Sequence, residues 1–504
     1  MLLEKNKKWW VLGALAISLL TVGLDLTVLN LALPTLAVQM NASNSELQWF
    51  ADAYNLVIAA LLLPAGLLGD KLGRKKMLLM ALLVFGLASI GCAYSDTPLQ
   101  LIIGRAFLGL GAAFLMPLSM SVIPVLFTEE ERPKAIGIWV MANALGIPLG
   151  PILGGWLLKN YAWGSVFLIN LPIILLGMIA LSIFLKESRS TGRTKIDFPG
   201  MLLSSFGLVS LTYGFIEAGE RGWSDYAVMG PILGGVVLLA LFILWQSFVK
   251  QPLIDLELFR SAGFTWGSIL ATVVSFAMFG LLFVTPQYFQ AVSGADALGT
   301  GVRLLPIVGG LLIGSQIAER LQLNFGAKFT LLAGLSLLAL GMFIGANTGS
   351  SHGYGFAAIW ISIVGLGIGF ALPTAMDISM AALTAERSGI GSALIMTMRQ
   401  IGGTIGVAVL GTMLSSVYRD KLAIEGLSGD SADALQRSVA SGMNAARELH
   451  SPELLEAVRS AFIHGMDAML WVVGGVAALG ILLTLVFLHI PQSGKEGRSI
   501  NVRE

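Results

Sequence analysis

The sequence predicts an all-α polytopic membrane protein, and three observations predict it. Of 504 residues, 56% are hydrophobic and only 12% charged, too few charges for a soluble chain of this length to cover its surface. Apolar runs of about twenty residues, the length a helix needs to cross a bilayer core, recur from one end of the chain to the other. Lys and Arg gather in alternate connections between those runs, the pattern of the positive-inside rule. The net charge of +1 gives no reason to expect a nucleic-acid partner.

The first run, 10–33, follows the basic stretch EKNKK and resembles a signal peptide in outline. It is too long, lacks a small-x-small cleavage site before Pro34 and carries an acid, so it is expected to remain as the first helix. That acid is Asp25, in LDLTVLNLALP (24–34). A charge at that depth costs roughly 2.5 kcal/mol or more on insertion scales, which makes an intramembrane acid a functional-site expectation. The alternative is an acid merely capped by a neighbouring helix.

The second run, 48–69, opens on Trp49, Phe50, Asp52 and Tyr54. An acid among aromatics suits a lipophilic cation through charge, cation-π attraction and apolar area. Asp52 is equally an acid about 6 Å inside a helix N-terminus, where the dipole favours it. The run ends in GLLGDKLGRKK (66–76), where Gly66 and Gly73 flank a tight turn and Asp70 can meet a helix dipole or Arg74. Such a charge lock would hold one side closed and break when it opens; Lys75 and Lys76 read as plain anchors.

The third run, 77–95, holds Cys92, the only cysteine, which excludes an internal disulfide and a Cys-rich metal site. The fourth, 99–122, buries Arg105 in LIIGRAFLGLGAA. From the expected outer ends Arg105 lies about 9 Å deep and Asp25 about 12 Å, so the two meet if the first and fourth helices are neighbours. A guanidinium and desolvation act on a carboxyl in opposite senses, which leaves a group able to load and release a proton; a static ion pair is the plainer reading. The fifth run, 135–157, contains GIPLGPILGG (146–155). Gly146, Gly150, Gly154 and Gly155 permit close helix approach and Pro151 frees a carbonyl, the makings of a hinge.

The sixth run is 165–186, followed by the basic KESRSTGRTK. The seventh, 199–219, is preceded by Asp197 as a helix cap, and the eighth is 227–249. Six more follow at 264–285, 300–319, 328–346, 355–377, 392–417 and 467–489, making fourteen. An even number puts both termini on one side, the cytoplasm by charge bias. The long tract 419–466 mixes both signs and is expected outside as a partly helical cap. Asp377 and Arg399 are candidates for a charge pair in the second half of the chain, although both also suit a membrane edge. The 20 Met residues suit an adaptable pocket or simple core filling.

Two echoes divide the chain. AERLQLNFGAKF after the tenth run repeats GLLGDKLGRKK weakly, and RQIGGTIGVAVLG in the thirteenth repeats GIPLGPILGG. Two six-helix halves, 1–190 and 261–504, with a two-helix insert at 191–260 fit both echoes, and parallel halves place a substrate site near the midplane between them.

Together LDLTVLNLALP, GLLGDKLGRKK, the Arg105 run, GIPLGPILGG, WGSVFLINLP from Trp163, PLIDLELFR and RQIGG resemble the fourteen-span drug:proton antiporter family of the major facilitators. The resemblance implies the major facilitator fold and exchange of inward protons for outward quaternary ammonium compounds, dyes or viologens. Two departures stand out. Gly164 occupies the place of an arginine in the family's WRW, and the tenth and thirteenth runs lack the mid-span acids that some multidrug members carry, which favours cargo of one charge over two.

The expectation is therefore a proton-coupled exporter in a bacterial-type cell membrane, working as a monomer among lipids. Asp25 and Arg105 would handle the proton, and Asp25, Asp52, Trp49 and Tyr54 the cationic cargo. An endogenous metabolite, a lipid or a neutral antibiotic is the alternative cargo, and a membrane sensor or scaffold a different class. Four widely spread His offer no metal or triad spacing, so neither an enzyme nor a cofactor is expected.

Overall fold

The computed structural model describes residues 2–128, 131–189, 197–250, 252–349, 352–383, 388–422 and 430–488. The long helices are α1 (Leu2–Gln39), α2 (Asn44–Leu72), α3 (Arg74–Ala93), α4 (Pro98–Leu126), α5 (Arg132–Asn160), α6 (Asn170–Phe184), α7 (Phe198–Arg221) and α8 (Tyr226–Phe248). After them come α9 (Ala262–Gln287), α10 (Leu305–Phe325), α11 (Ala327–Gly345), α12 (Tyr354–Ala381), α13 (Ser388–Lys421) and α14 (Pro452–Phe487). Shorter pieces fill the joints: Ser165–Leu168 before α6, a π-turn Tyr288–Val292 ending α9, Ala297–Arg303 before α10, and Asp430–Arg437 with Val439–Glu448 between α13 and α14. Among the described residues, twelve stretches are long and apolar enough to cross a membrane.

Six of the long helices, α2, α4, α7, α8, α9 and α14, start on a side-chain cap. Ser43 accepts from the Glu46 amide while the Glu46 carboxylate accepts from the Ser43 amide, a reciprocal capping box for α2. Thr97 with Pro98 starts α4, and Ser451 with Pro452 starts α14. That last cap corrects the expected start of the final helix: α14 begins at Pro452 rather than near 467, because the amphipathic turns before the span continue the same helix. Asp197 caps α7 as expected and also accepts from Trp245 Nε1 and Gln246 Nε2, which fastens the start of α7 to the end of α8.

The packing repeats. α1 lies on α5 and α6, α2 on α4, and α3 on α4 and α6; likewise α9 lies on α13 and α14, α10 on α12, and α11 on α12 and α14. The weak sequence echo has a backbone counterpart: α2 and α3 are joined by the single residue Gly73 (φ 117°), and α10 and α11 by Gly326 (φ 87°). A side chain at either φ is strained, so the glycines permit these one-residue turns. The insert helix α7 packs on both α2 and α13, so it lies along one seam between the halves.

Each half has its chain ends together. Trp10 at the start of α1 stacks near Phe184 at the end of α6, and Trp266 near the start of α9 stacks on Phe487 at the end of α14. The opposite end of the bundle carries the short helices 430–448 and is called the capped end below. Large apolar side chains such as Leu176, Phe206, Leu233, Phe248 and Leu482 stay exposed around the girth, as lipid contact requires.

Candidate functional site

Asp25 and Arg105 meet. The guanidinium Nη1 donates to Asp25 Oδ2, and both side chains are sealed from the surface at 1% and 0% exposure. Two further contacts hold Arg105, and a third holds the ring it rests on. Its Nε donates to the Phe50 carbonyl at 2.8 Å, its plane lies 4.4 Å over the Tyr54 ring, and Tyr54 Oη donates to the Val22 carbonyl at 3.4 Å. The second guanidinium nitrogen, Nη2, has no hydrogen-bond partner among the described residues. The arginine is thus fixed from α2 and α4, while its counter-charge lies on α1, a separate element packed on α5.

Glycines make that approach possible. A Cβ at Gly109 would meet the Tyr54 carbonyl at 2.5 Å, so α4 touches α2 backbone to backbone beside the pair. A Cβ at Gly146 would meet the Gly23 carbonyl carbon at 2.6 Å, and Thr27 Oγ1 donates to the Gly146 carbonyl at 3.2 Å. Gly150 and Gly154 continue the same face against Thr27 and Val28, one turn beyond Asp25. Gly155 and the Pro151 carbonyl face the other way, onto Leu298 and Gly301 of the second half. The expected hinge segment is therefore a two-sided spacer between the ion pair's helix and the opposite half.

Asp52 lies elsewhere, fully buried on α2, and neither carboxylate oxygen has a partner among the described residues. Its neighbours one turn away share the polar face that meets α13. Asn44 Nδ2 donates to Ser415 Oγ, Gln400 Nε2 donates to Asn55 Oδ1 at 2.6 Å, and a Cβ at Gly411 would meet the Gln48 side chain at 2.8 Å. Both Gln48 amide atoms and Thr404 Oγ1 are likewise buried without partners. Trp49 turns away to pack beside Tyr213 of α7. The four expected cargo residues thus divide between the Asp25 cluster, which includes Tyr54, the α2–α13 seam and the insert.

At the turn between α2 and α3, the Asp70 side chain lies outside the described residues. Gly66 sits against Pro117 of α4, and Arg74 donates its amide to the Ser188 carbonyl at 3.0 Å. The residue that organises this turn is Glu187: its two carboxylate oxygens accept from the Lys75 and Lys76 amides at 3.1 Å each, and Lys75 Nζ donates to the Ser182 carbonyl at 2.6 Å. Glu187 escaped notice in the sequence because it stands among basic residues more than a hundred positions away. Nearby, Lys8 bonds Glu131 at 2.6 Å, and this contact, with partial burial opposing it, holds the Glu131 carboxyl below its ordinary range.

The suggested pairing of Asp377 with Arg399 does not form. Arg399 Nε donates to Ser275 Oγ at 3.3 Å and its Nη1 rests on Met376 Sδ, while Asp377 is exposed beside Gln322 and Glu319. Neighbouring positions 376 and 377 point about 100° apart on α12, so only Met376 reaches the arginine. Among the described residues, no group of three or more His, Cys, Asp or Glu could hold a metal ion.

A pair of pseudo-equivalent helical halves with a charged pair sealed inside one of them, all within a lipid-facing bundle, defines a membrane transporter rather than an enzyme. The Major Facilitator Superfamily model matches residues 15–407, and the chain belongs to that family. It is 30% identical over 478 residues to the methyl viologen resistance protein SmvA of Salmonella typhimurium, spanning 94% of this chain and 97% of that one. It is 32% identical over 489 residues to the multidrug efflux pump LfrA of Mycolicibacterium smegmatis (94% and 96%), and 29% identical to the tetracenomycin C resistance and export protein of Streptomyces glaucescens (95% and 92%). Among solved structures, an inward-facing bacterial homologue of the human lysosomal transporter Spinster superposes with a TM-score of 0.71 at 19% identity, covering 96% of this chain and 98% of that one. The xylose transporter XylE of E. coli superposes with a TM-score of 0.60 at 14% identity (96% and 98%), a likeness of fold.

Proposed function

We propose that this chain is a proton-coupled exporter of lipophilic, mainly cationic compounds, acting as a monomer in a bacterial cell membrane with both termini in the cytoplasm. In this reading α2 and α5 also span, which makes fourteen crossings, and the capped end faces outward. The observation that carries it is the Asp25–Arg105 pair, a carboxylate on α1 against an arginine held between α2 and α4. Relatives named for viologen resistance and multidrug efflux support the cargo class.

The chemistry is a competition for one charge. With Asp25 ionised, α1 is drawn to Arg105; with Asp25 protonated, the attraction is lost and α1, with α5 packed on its glycines, is released. Because α5 also borders Leu298 and Gly301, that release reaches the seam between the halves. A cation near Asp25 favours the ionised carboxyl and a proton the neutral one, so each expels the other. The gradient drives the cycle: about 2.3 kcal/mol per charge per 100 mV and about 1.4 kcal/mol per pH unit. Asp52 is the second acid such cargo would meet.

The test is efflux from proteoliposomes under an imposed pH gradient, for cations of one and two charges and for one neutral compound. Wild type should expel the singly charged cation most strongly, and Asp25→Asn should abolish proton-driven efflux. Intact efflux in that variant would remove the carboxylate assignment. In a second reading the cargo is a neutral antibiotic; gradient-driven efflux of the neutral compound that is indifferent to Asp52→Asn would favour it.

A further inference from the structure

Residues 430–448 belong by chain to the second half, yet they grip the first. Gly442 faces its own half, where a Cβ would meet Tyr418 Oη at 2.8 Å and the Leu435 carbonyl at 3.1 Å. Tyr418 Oη in turn donates to that Leu435 carbonyl at 2.7 Å. The adjacent Ser441 faces the other way, and its buried Oγ donates to the Ala37 carbonyl at the end of α1 at 3.3 Å. Arg437 Nη1 donates to the Asn41 carbonyl in the α1–α2 turn at 3.4 Å, and Arg419 Nη1 to the Gly219 carbonyl at the end of α7 at 2.9 Å. Leu435, Val439 and Met443 are buried beneath, so the segment is seated on apolar contacts as well.

What lies under it resists being closed. A small cavity of about 10 Å³ sits where the halves meet, lined by Asn44 of α2, Gln287 of α9, Ser415 and Tyr418 of α13 and Ser438 of the segment itself. Deeper along the same faces of α2 and α13 are the amide of Gln48, the carboxylate of Asp52 and the hydroxyl of Thr404, buried without partners among the described residues. Buried polar groups without partners favour any state that lets water reach them. These groups work against the seam's own hydrogen bonds, Asn44 with Ser415 and Gln400 with Asn55, so a further contact that ties the halves shifts the balance toward the closed state.

We propose that residues 430–448 form a strap that ties the second half to the α1–α2 turn and keeps the capped end closed over a seam in which Gln48, Asp52 and Thr404 favour opening. Ser441 and Arg437 are the strap's grip, and Gln48 is the counterforce. The strap sets how often the capped end opens and so the release step of transport. This rests on the reading that the halves rock about a central site, but its readout is a distance and fails separately from transport.

The experiment places spin labels at Asp96→Cys and Gly353→Cys, both exposed at the capped end on opposite halves, in a Cys92→Ser background in lipid nanodiscs. Pulsed dipolar spectroscopy then reads the separation of the halves. Ser441→Glu with Arg437→Ala removes both bonds of the grip and should raise the ratio of longer-distance to shorter-distance populations about thirtyfold, about fivefold for each net hydrogen bond lost. Glutamate at 441 completes a capping box with Ser438, so the short helix itself is preserved. Gln48→Met, equal in size but apolar, should lower the same population. Unchanged distances in the strap variant, or a shift in the same direction from Gln48→Met, overturn the proposal. Should the double variant not fold, Arg437→Ala alone, at an exposed contact, must still lengthen the distances, and no change there is equally fatal. Cationic dye efflux by these variants is followed in parallel: lost efflux with lengthened distances leaves the strap standing, and retained efflux with unmoved distances removes it.

Discussion

Arg105 is held by a carbonyl, a ring and a carboxylate, and only the carboxylate can be neutralised by a proton. Removing it outright should therefore be worse for folding than removing the pair. Asp25→Leu leaves a sealed guanidinium uncompensated and is expected to cost about 3–5 kcal/mol, whereas Asp25→Leu with Arg105→Met should recover most of that. Thermal melting of the detergent-solubilised variants checks it, and a double variant no more stable than the single would mean that Arg105 is balanced by something other than Asp25. Neither variant should transport. At this scale the sequence identified both members of the pair from depth alone, since a charged residue in an apolar run has few explanations. It could not identify Gln48 or Thr404, whose side chains are ordinary until a neighbouring helix buries them without partners.

Glu187 binds the start of α3 as a side chain from beyond the end of α6, taking two amides that the helix itself leaves unpaired. Glu187→Ala should cost about 1 kcal/mol, as loss of a helix cap does, with Glu187→Gln recovering part of it. Hydrogen exchange at the Lys75 and Lys76 amides is the direct readout; protection that survives the alanine substitution would show that the contact is incidental. Helix ends with local caps, such as Ser43 with Glu46, can be read from the sequence because donor and acceptor lie three residues apart. The α3 cap cannot, because its partner is set by where α6 ends. The late placing of the last helix has a related cause, since the polar turns before its apolar run carry no membrane signal of their own.

The two halves touch through few polar contacts, and these concentrate at the capped end among the described residues. One is the exposed Lys159–Asp296 pair at 3.4 Å. Bonding to the Gly299 amide first, and Lys159 second, holds the Asp296 carboxyl below its ordinary range. A depressed carboxylate contributes above its ordinary pKa, and the contribution is lost as pH falls through the lowered value. Salt screens such a pair, so the longer Asp96–Gly353 distances should grow modestly from low to high ionic strength at neutral pH. Asp296→Asn keeps the cap oxygen but removes the charge, and should abolish that salt dependence; a response identical to wild type would exclude the pair from closure.

The class of the protein was present in the chain itself, because lipid imposes one demand on every span: a long apolar run with its backbone bonds satisfied internally; of the fourteen expected crossings, twelve stretches among the described residues are long and apolar enough. Charges that violate that demand, Asp25 and Arg105, announced themselves for the same reason. Which helices face one another is a different kind of information. That Arg105 reaches Asp25, that Arg399 turns to Ser275 instead of Asp377, and that a loop of the second half grips the first depend on distances between segments 80, 124 and 404 residues apart in the chain. Packing sets those distances, and no local pattern of residues encodes them.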